Sequence, residues 1–184
     1  MGKLAQEMDG LRLKMENRTV RVRVVREIPK VEVGGGTVGP YKGGVEVEMP
    51  YWIAEVLEDA NYVRFLGDDT LTISDVSKIH WRETLPSSRQ IPKLRDDFYF
   101  QLRRILSILE KERRSDVSKV REYERAISFF TDILNCRLRK IATLAASQLQ
   151  YTDLIQNMTV EEKALFNQLY STVDIWRRKI LGEE

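Results

Sequence analysis

The apolar residues of this chain change their period near residue 70, and that change limits the folds open to it. Upstream, Val20, Val22 and Val24 alternate with Arg21 and Arg23, and Val31-Glu32-Val33 and Val45-Glu46-Val47-Glu48 repeat the alternation. A period of two carried by β-branched residues puts one face in a core and the other in water, which is the pattern of a half-buried strand. Downstream, apolar residues recur every three or four positions to the end, the spacing of one helix face. The expected architecture is α+β, with a small N-terminal β-rich domain over residues 1–70 and a larger all-α helical bundle over residues 71–184.

Within the first part, Leu4, Met8, Leu11 and Met15 predict a short helix over residues 1–17, and Thr19 to Ile28 a strand that Pro29 ends. Pro50 suits the first turn of a helix, where its missing N–H costs nothing, and Ile53, Val56, Leu57 and Ala60 would form that helix's apolar face. Two short strands follow, Tyr62 to Leu66 and Thr70 to Ile73, joined by a turn at Gly67-Asp68-Asp69. In the second part, Ser74 can cap a helix running to about Leu85, which Pro86-Ser87-Ser88 interrupts. Leu94, Phe98, Leu102, Ile105, Leu106 and Leu109 line the next helical face, and the polar stretch Lys111 to Asp116 breaks the stripe. A further stripe runs through Val117, Val120, Tyr123, Ile127, Phe130, Leu134, Leu138, Ile141 and Ala145, a helix of roughly 45 Å at 1.5 Å per residue. Thr159 and Glu162 form a capping box that opens the last helix, continued by Leu165, Phe166, Leu169, Val173, Trp176 and Ile180. The reading is one shorter helix followed by three long ones in antiparallel order.

Little in the chain points to catalysis. Gly34, Gly36 and Gly39 have the GxGxxG spacing of a dinucleotide loop. That loop must open a helix whose N-terminal amides hold the pyrophosphate, yet Pro40, Lys42-Gly43-Gly44 and a strand come next. A turn is the better account, and no cofactor is expected. His80 is the single histidine and Cys136 the single cysteine, so a disulfide within the chain and a cysteine-rich zinc site are both excluded. The acidic pairs Asp68-Asp69 and Asp96-Asp97 have ordinary roles in turns and at helix starts, and no metal is expected. No catalytic constellation emerges, which favours a non-enzyme. No apolar run approaches the roughly 20 residues that cross a bilayer, and the N-terminus lacks the core of a signal peptide. The expected location is cytoplasmic.

Charge is distributed unevenly. Residues 1–70 hold 10 basic and 12 acidic side chains, whereas residues 71–184 hold 20 and 16. Arg103, Arg104, Lys111, Arg113, Arg114, Lys119, Arg121 and Arg125 crowd the turn between the two longest helices, and Arg177, Arg178 and Lys179 end the chain. Such a stripe can contact phosphates, with Arg103, Arg104, Arg113, Arg114, Arg121 and Arg125 as candidate DNA contacts. It can equally be the solvated face of helices, and Glu110, Glu112, Glu122 and Glu124 dilute it. Phe129 and Phe130 point about 100° apart on a helix, so a single internal core does not readily take both. A second apolar face on a long helix implies a partner helix. Phe129, Phe130, Ile133, Arg137, Arg139 and Lys140 are therefore the candidate partner interface.

Gly39-Pro40-Tyr41, Gly44, and Met49-Pro50-Tyr51-Trp52-Ile53-Ala54 with Leu57 resemble the small β domain of GINS complex subunits of the two-three class. In the helical half, Asn135 to Ile141 is similar to the arginine-rich segment of the long helix in GINS subunits, and Asn157-Met158-Thr159 with Glu161-Glu162 resembles archaeal members. The likeness spans about residues 18–180, and Tyr51 stands where an aliphatic residue is more usual. The resemblance makes Gly39, Pro40, Tyr41, Gly44, Pro50, Trp52 and Ala54 the β-domain signature. It implies a non-enzymatic replication scaffold in the cytoplasm, associated with the nucleoid. Two copies would join two copies of the related five-one subunit, or the assembly would be built from one class alone; it would bind the MCM helicase and a RecJ-like nuclease and promote unwinding at the fork. Direct DNA binding through the basic helices is the alternative.

Overall fold

The alternation of Val20, Val22 and Val24 with arginines builds the centre of the β-rich unit. In the computed structural model, which describes residues 2–34, 36–66, 70–85, 90–147 and 152–182, these residues lie in β1 (Thr19–Val24). All three valines are buried, and the residues between them face solvent. β1 pairs antiparallel with β4 (Glu46–Pro50) on one side and β5 (Val63–Phe65) on the other. The register sets Val20 against Met49 and Val24 against Val63, so buried residues face buried residues across the ladder. Arg23 opposes Glu46 on the outer face, and their side chains meet at 2.6 Å. The strand stops at Val24 and does not reach Ile28, because the amides of Val25 and Arg26 turn to the Tyr62 carbonyl, outside the ladder. Ile28 instead forms one isolated bridge with Tyr41, N–H to O in both directions at 2.9 Å.

The glycine segment is a hairpin. β2 (Val31–Val33) pairs antiparallel with β3 (Gly36–Val38), a strand that the glycines hid from a reading by period. Pro50 closes β4 and stands at the N-cap of α2 (Tyr51–Asp59). The buried face of α2 is Tyr51, Ile53 and Ala54, with Leu57 half-buried; Val56 is 64% exposed and Ala60 is outside the helix. Tyr51 turns inward against Phe65, ring centroids 5.4 Å apart, and this shifts the buried arc toward the start of the helix.

α1 (Lys3–Glu16) precedes the sheet and buries no residue. The contacts divide the chain into one unit of Arg12–Thr70 and another of Leu71–Glu184, and the first eleven residues, which the sequence grouped with the β-rich part, cluster with the latter. No strand forms over Thr70 to Ile73. Thr72 is the N-cap of α3 (Ile73–Thr84), and it exchanges bonds with Asp75 in a full capping box, two residues ahead of the expected cap at Ser74. The expected turns at Gly67-Asp68-Asp69 and Pro86-Ser87-Ser88 lie outside the described residues.

α4 (Phe98–Ser115) buries Phe98, Leu102, Ile105 and Leu109, as its stripe predicts. Asp116 then accepts the Ser118 amide at 2.8 Å and starts a 3-10 turn (Val117–Lys119) that leads into α5 (Val120–Ser147), 28 residues and about 42 Å long. A five-residue helix, α6 (Thr152–Gln156), precedes α7 (Val160–Leu181). α5 is the spine of the helical unit, in contact with α3, α4 and α7. Leu94, Phe98, Leu102, Ala126, Phe130 and Ile133 belong to one apolar cluster, and Ile91, Ile141, Leu144, Met158 and Phe166 to a second. The buried stripe of α5 runs through Ala126, Phe130, Ile133, Arg137, Ile141 and Leu144. Ile127, Leu134 and Leu138, which the sequence placed on the core face, are 37%, 44% and 48% exposed. Among the described residues no helix is long and apolar enough to cross a membrane.

Candidate partner interface of the helical unit

Arg137 occupies a core position of α5 and is 1% exposed. A guanidinium there must have its donors met, since an isolated buried charge is very costly. Its Nε and Nη2 donate to the two carboxylate oxygens of Glu162, the latter at 2.6 Å. Nη1 donates to Glu83 Oε1 at 2.7 Å and to the Pro92 carbonyl at 2.9 Å. The fork geometry of the pair with Glu162 is the arrangement that makes arginine and carboxylate a strong couple. Lys140 Nζ takes the other oxygen of Glu83 at 2.8 Å, and the Tyr99 hydroxyl donates to Glu162 Oε1 at 2.5 Å. Glu162 also accepts the Thr159 amide at 3.0 Å, so the capping box of α7 and the core ion pair share one carboxylate. Side chains from α3, α4, α5 and α7 thus converge on Arg137, with one carbonyl from the segment before α4.

The electrostatics follow from this packing. Burial disfavours the Arg137 charge, but the bonds and field of Glu162, and then of Glu83, outweigh it and hold the guanidinium above its usual range. Burial and the adjacent Glu162 carboxylate both push the Tyr99 hydroxyl well up.

The expected interface residues therefore divide. Phe130 and Ile133 are in the apolar core, 2% and 0% exposed, and Arg137 is its charged centre. All three lie inside the helical unit and not on its surface, because they share the stripe that packs on α3 and α4. Lys140 is half-buried and engaged by Glu83, while Arg139 is exposed. Phe129 is half-buried. His80 of α3 stacks on it with centroids 4.6 Å apart, and the Arg125 guanidinium lies 5.2 Å from its ring. The second ring is thus accommodated by α3 of the same chain. His80 Nε2 meets Asp132 Oδ2 at 3.1 Å.

The open aliphatic surface lies one position away. Leu134 and Leu138 border a groove of about 460 Å³, together with Leu102 of α4, Leu165 of α7, and Leu4 and Met8 of α1. Tyr99, Arg103, Asn135, Glu161 and Glu162 supply its polar lining. Further along α7, Ile175, Trp176 and Ile180 are 54%, 61% and 67% exposed.

Part of the basic cluster is matched by acids. Arg114 and Arg113 approach Glu110 at 2.9 and 3.6 Å, and the bond from Arg114 holds that carboxyl below its ordinary value. Arg113 also covers the Tyr123 ring at 4.2 Å, and Lys119 meets Glu122 at 2.8 Å. Arg103 and Arg121 are exposed and Arg104 is half-buried. Among the described residues no group of three His, Cys, Asp or Glu could hold a metal ion.

In the β-rich unit the signature residues have architectural reasons. Gly39 has φ 84°, and a Cβ there would lie 2.6 Å from the Pro29 carbonyl oxygen. Tyr41, two residues on, makes the bridge to Ile28, and Gly44, with φ 90°, donates to the Val24 carbonyl at 2.7 Å. Pro50 ends β4, Ala54 is fully buried, and Trp52 is half-buried with its ring beside Gly34.

Sequence reasoning found the capping role of Glu162 but missed its bond to Arg137, and it missed Glu83 and Tyr99 altogether. No local spacing links these residues, since Glu83 and Arg137 are 54 positions apart. Residues 70–181 match the Sld5 family model, described as the GINS complex protein helical bundle domain. No curated protein matches the chain.

Proposed function

The chain belongs to the GINS complex protein family, and on that premise we propose that it is a two-three-class subunit of an archaeal complex. A GINS protein is a subunit of a DNA replication complex, within a family of non-catalytic scaffolds that assemble as hetero-oligomers with other GINS subunits. The class assignment is supported by the strands between residues 19 and 65 preceding the helices from Ile73 onward, and by the Gly39-Pro40-Tyr41 and Pro50 to Ala54 segments. In this reading two copies join two copies of a five-one subunit. The assembly attaches to the MCM helicase and to a RecJ-like nuclease, in the cytoplasm at the nucleoid, and supports unwinding at forks. It needs no reaction of its own: a scaffold that binds one helicase conformation better than another shifts the population toward it.

The observation that carries this reading is the pairing of a helical unit keyed by a buried arginine with exposed aliphatic residues on the same helix. A stable subunit with an open apolar stripe suits a large, apolar, permanent interface. Mixing the purified chain with a five-one-class subunit and measuring mass by light scattering tests it. A complex of two plus two is expected; persistent separate chains would overturn the assembly. Unwinding of forked DNA by MCM, with and without that complex, tests the helicase role, and an unchanged rate would remove it. For direct DNA binding, fluorescence anisotropy at low salt is the measurement. Weak or absent binding is expected, because Glu110 and Glu122 already hold cations of the basic turn.

A further inference from the structure

Among the described residues, the groove beside α5 contains one buried polar atom that the helical unit leaves without a partner. Glu161, in the first turn of α7, is 7% exposed, and its Oε2 has no hydrogen-bond partner among the described residues. Its neighbour Glu162 is saturated by Arg137, Tyr99 and the Thr159 amide. The local charges make the contrast sharper. Glu83 and Glu162 balance Arg137 and Lys140 within the buried network, which leaves the Glu161 charge uncompensated. Arg103 borders the same groove but is exposed and forms no ion pair with Glu161. The positive end of α7 favours an acid in its first turn, yet Glu162 already serves that terminus with its capping bond. An unpaired buried carboxylate costs stability unless a cation reaches it.

We propose that Glu161 receives one lysine or arginine from an amphipathic helix of another GINS subunit laid into this groove. The proposal rests on the assembly reading above and adds to it the location of the contact and the chemistry of the occupant. Leu134, Leu138 and Leu165, together with Leu4 and Met8 of α1, take the aliphatic stripe of that helix, and its basic head extends to Glu161 in the groove's lining. The charge complementarity selects a helix with a cation beside its apolar face and rejects one with an acid there, since like charges in a desolvated site repel.

Two variants of the full chain decide the matter, Glu161→Gln and Leu138→Asp, each compared with the unaltered chain for thermal unfolding alone and for affinity to the separately purified five-one-class subunit. Glu161→Gln keeps shape and removes charge. The isolated chain should unfold at the same or a higher temperature, while affinity falls by about tenfold or more, the loss of one desolvated charge pair. Leu138→Asp should weaken binding further and leave the isolated chain folded, because that side chain is 48% exposed. A lowered unfolding temperature for Glu161→Gln with unchanged affinity would make Glu161 a helix-terminus residue only and overturn the proposal. Unchanged affinity in both variants would overturn the groove while leaving the assembly intact. Failure of the unaltered chain to bind the related subunit would overturn the assembly reading and this one with it.

Discussion

The two faces of α5 reverse the usual placement of residue types. On one, Ala126, Phe130, Ile133 and Ile141 share a buried stripe with an arginine; on the other, Ile127, Leu134 and Leu138 are partly open to solvent. The difference shows that burial on this helix is set by what each side chain meets and not by its hydropathy. Arg137 is inside because Glu83, Glu162 and the Pro92 carbonyl satisfy its donors. The exposed leucines meet only the sides of a groove, which Leu4, Met8, Leu102 and Leu165 of the same chain line with them. Where a charge is fully answered the fold is closed; where aliphatic groups remain open, the surface suits another chain laid against it.

The sharpest way to break this comparison is Arg137→Ala. It leaves Glu83 and Glu162 buried and short of their cation, so unfolding free energy should fall by about 3–5 kcal/mol. Urea unfolding followed by circular dichroism measures it, and a loss under about 1 kcal/mol would show that the network is not what closes this face. Next is Ile133→Ala, at a fully buried position, where about 2–5 kcal/mol should be lost to transfer and cavity terms.

Tyr99→Phe removes a hydrogen bond to a charged acceptor and should cost about 1.5–3 kcal/mol at neutral pH. The same residue gives the buried face a pH signature. Burial and Glu162 raise the Tyr99 hydroxyl above its ordinary value of 10.0. Below that value both folded and unfolded chains keep the proton, so the full contribution is present. Above it the unfolded chain releases the proton while the folded chain retains it, and stability declines as pH rises. Between pH 10 and 11 the unaltered chain should lose up to about 1.4 kcal/mol per pH unit more than Tyr99→Phe. Parallel stability–pH curves for the two proteins would show that Tyr99 is not held neutral by the fold.

How much of this was legible in the sequence depends on the range of the interaction. Strand β1, the stripe of α4 and the Thr159-Glu162 box were readable because each is local and periodic. The Thr72-Asp75 box was equally local, but Thr70 to Ile73 also fits a short strand, and the competing β-propensity hid it. β3 was hidden by its glycine, which carries no side chain to mark a face. The α5 stripe was misdrawn for a different reason. A reading by hydropathy skips Arg137 and passes through Leu134 and Leu138, each one position past the true line through Ile133 and Arg137. Only the partner carboxylates on α3 and α7 make an arginine a core residue, and those lie 54 and 25 positions away. The expected interface inherited this shift: Phe130, Ile133 and Arg137 fell inside, and the leucines beside them became the surface.

The smallest effect on the isolated chain is the one that tests the open face. Leu134→Ala removes a side chain that is 44% exposed, next to one that is fully buried. With nearly half of it already in water, its loss should cost the chain alone about 1 kcal/mol, well short of the loss at a fully buried position. In the assembly the same side chain would be enclosed by a partner helix, and truncating a central interface residue commonly costs more than about 1 kcal/mol of binding. The expected result is therefore a substitution with only a small cost in urea unfolding of the chain but visible as a severalfold loss of affinity for the related subunit by calorimetry. Ile133→Ala should do the reverse, lowering stability sharply and affecting affinity only through the folded fraction. If Leu134→Ala proved as destabilising as Ile133→Ala, both faces of α5 would be core, and the distinction between them would fail.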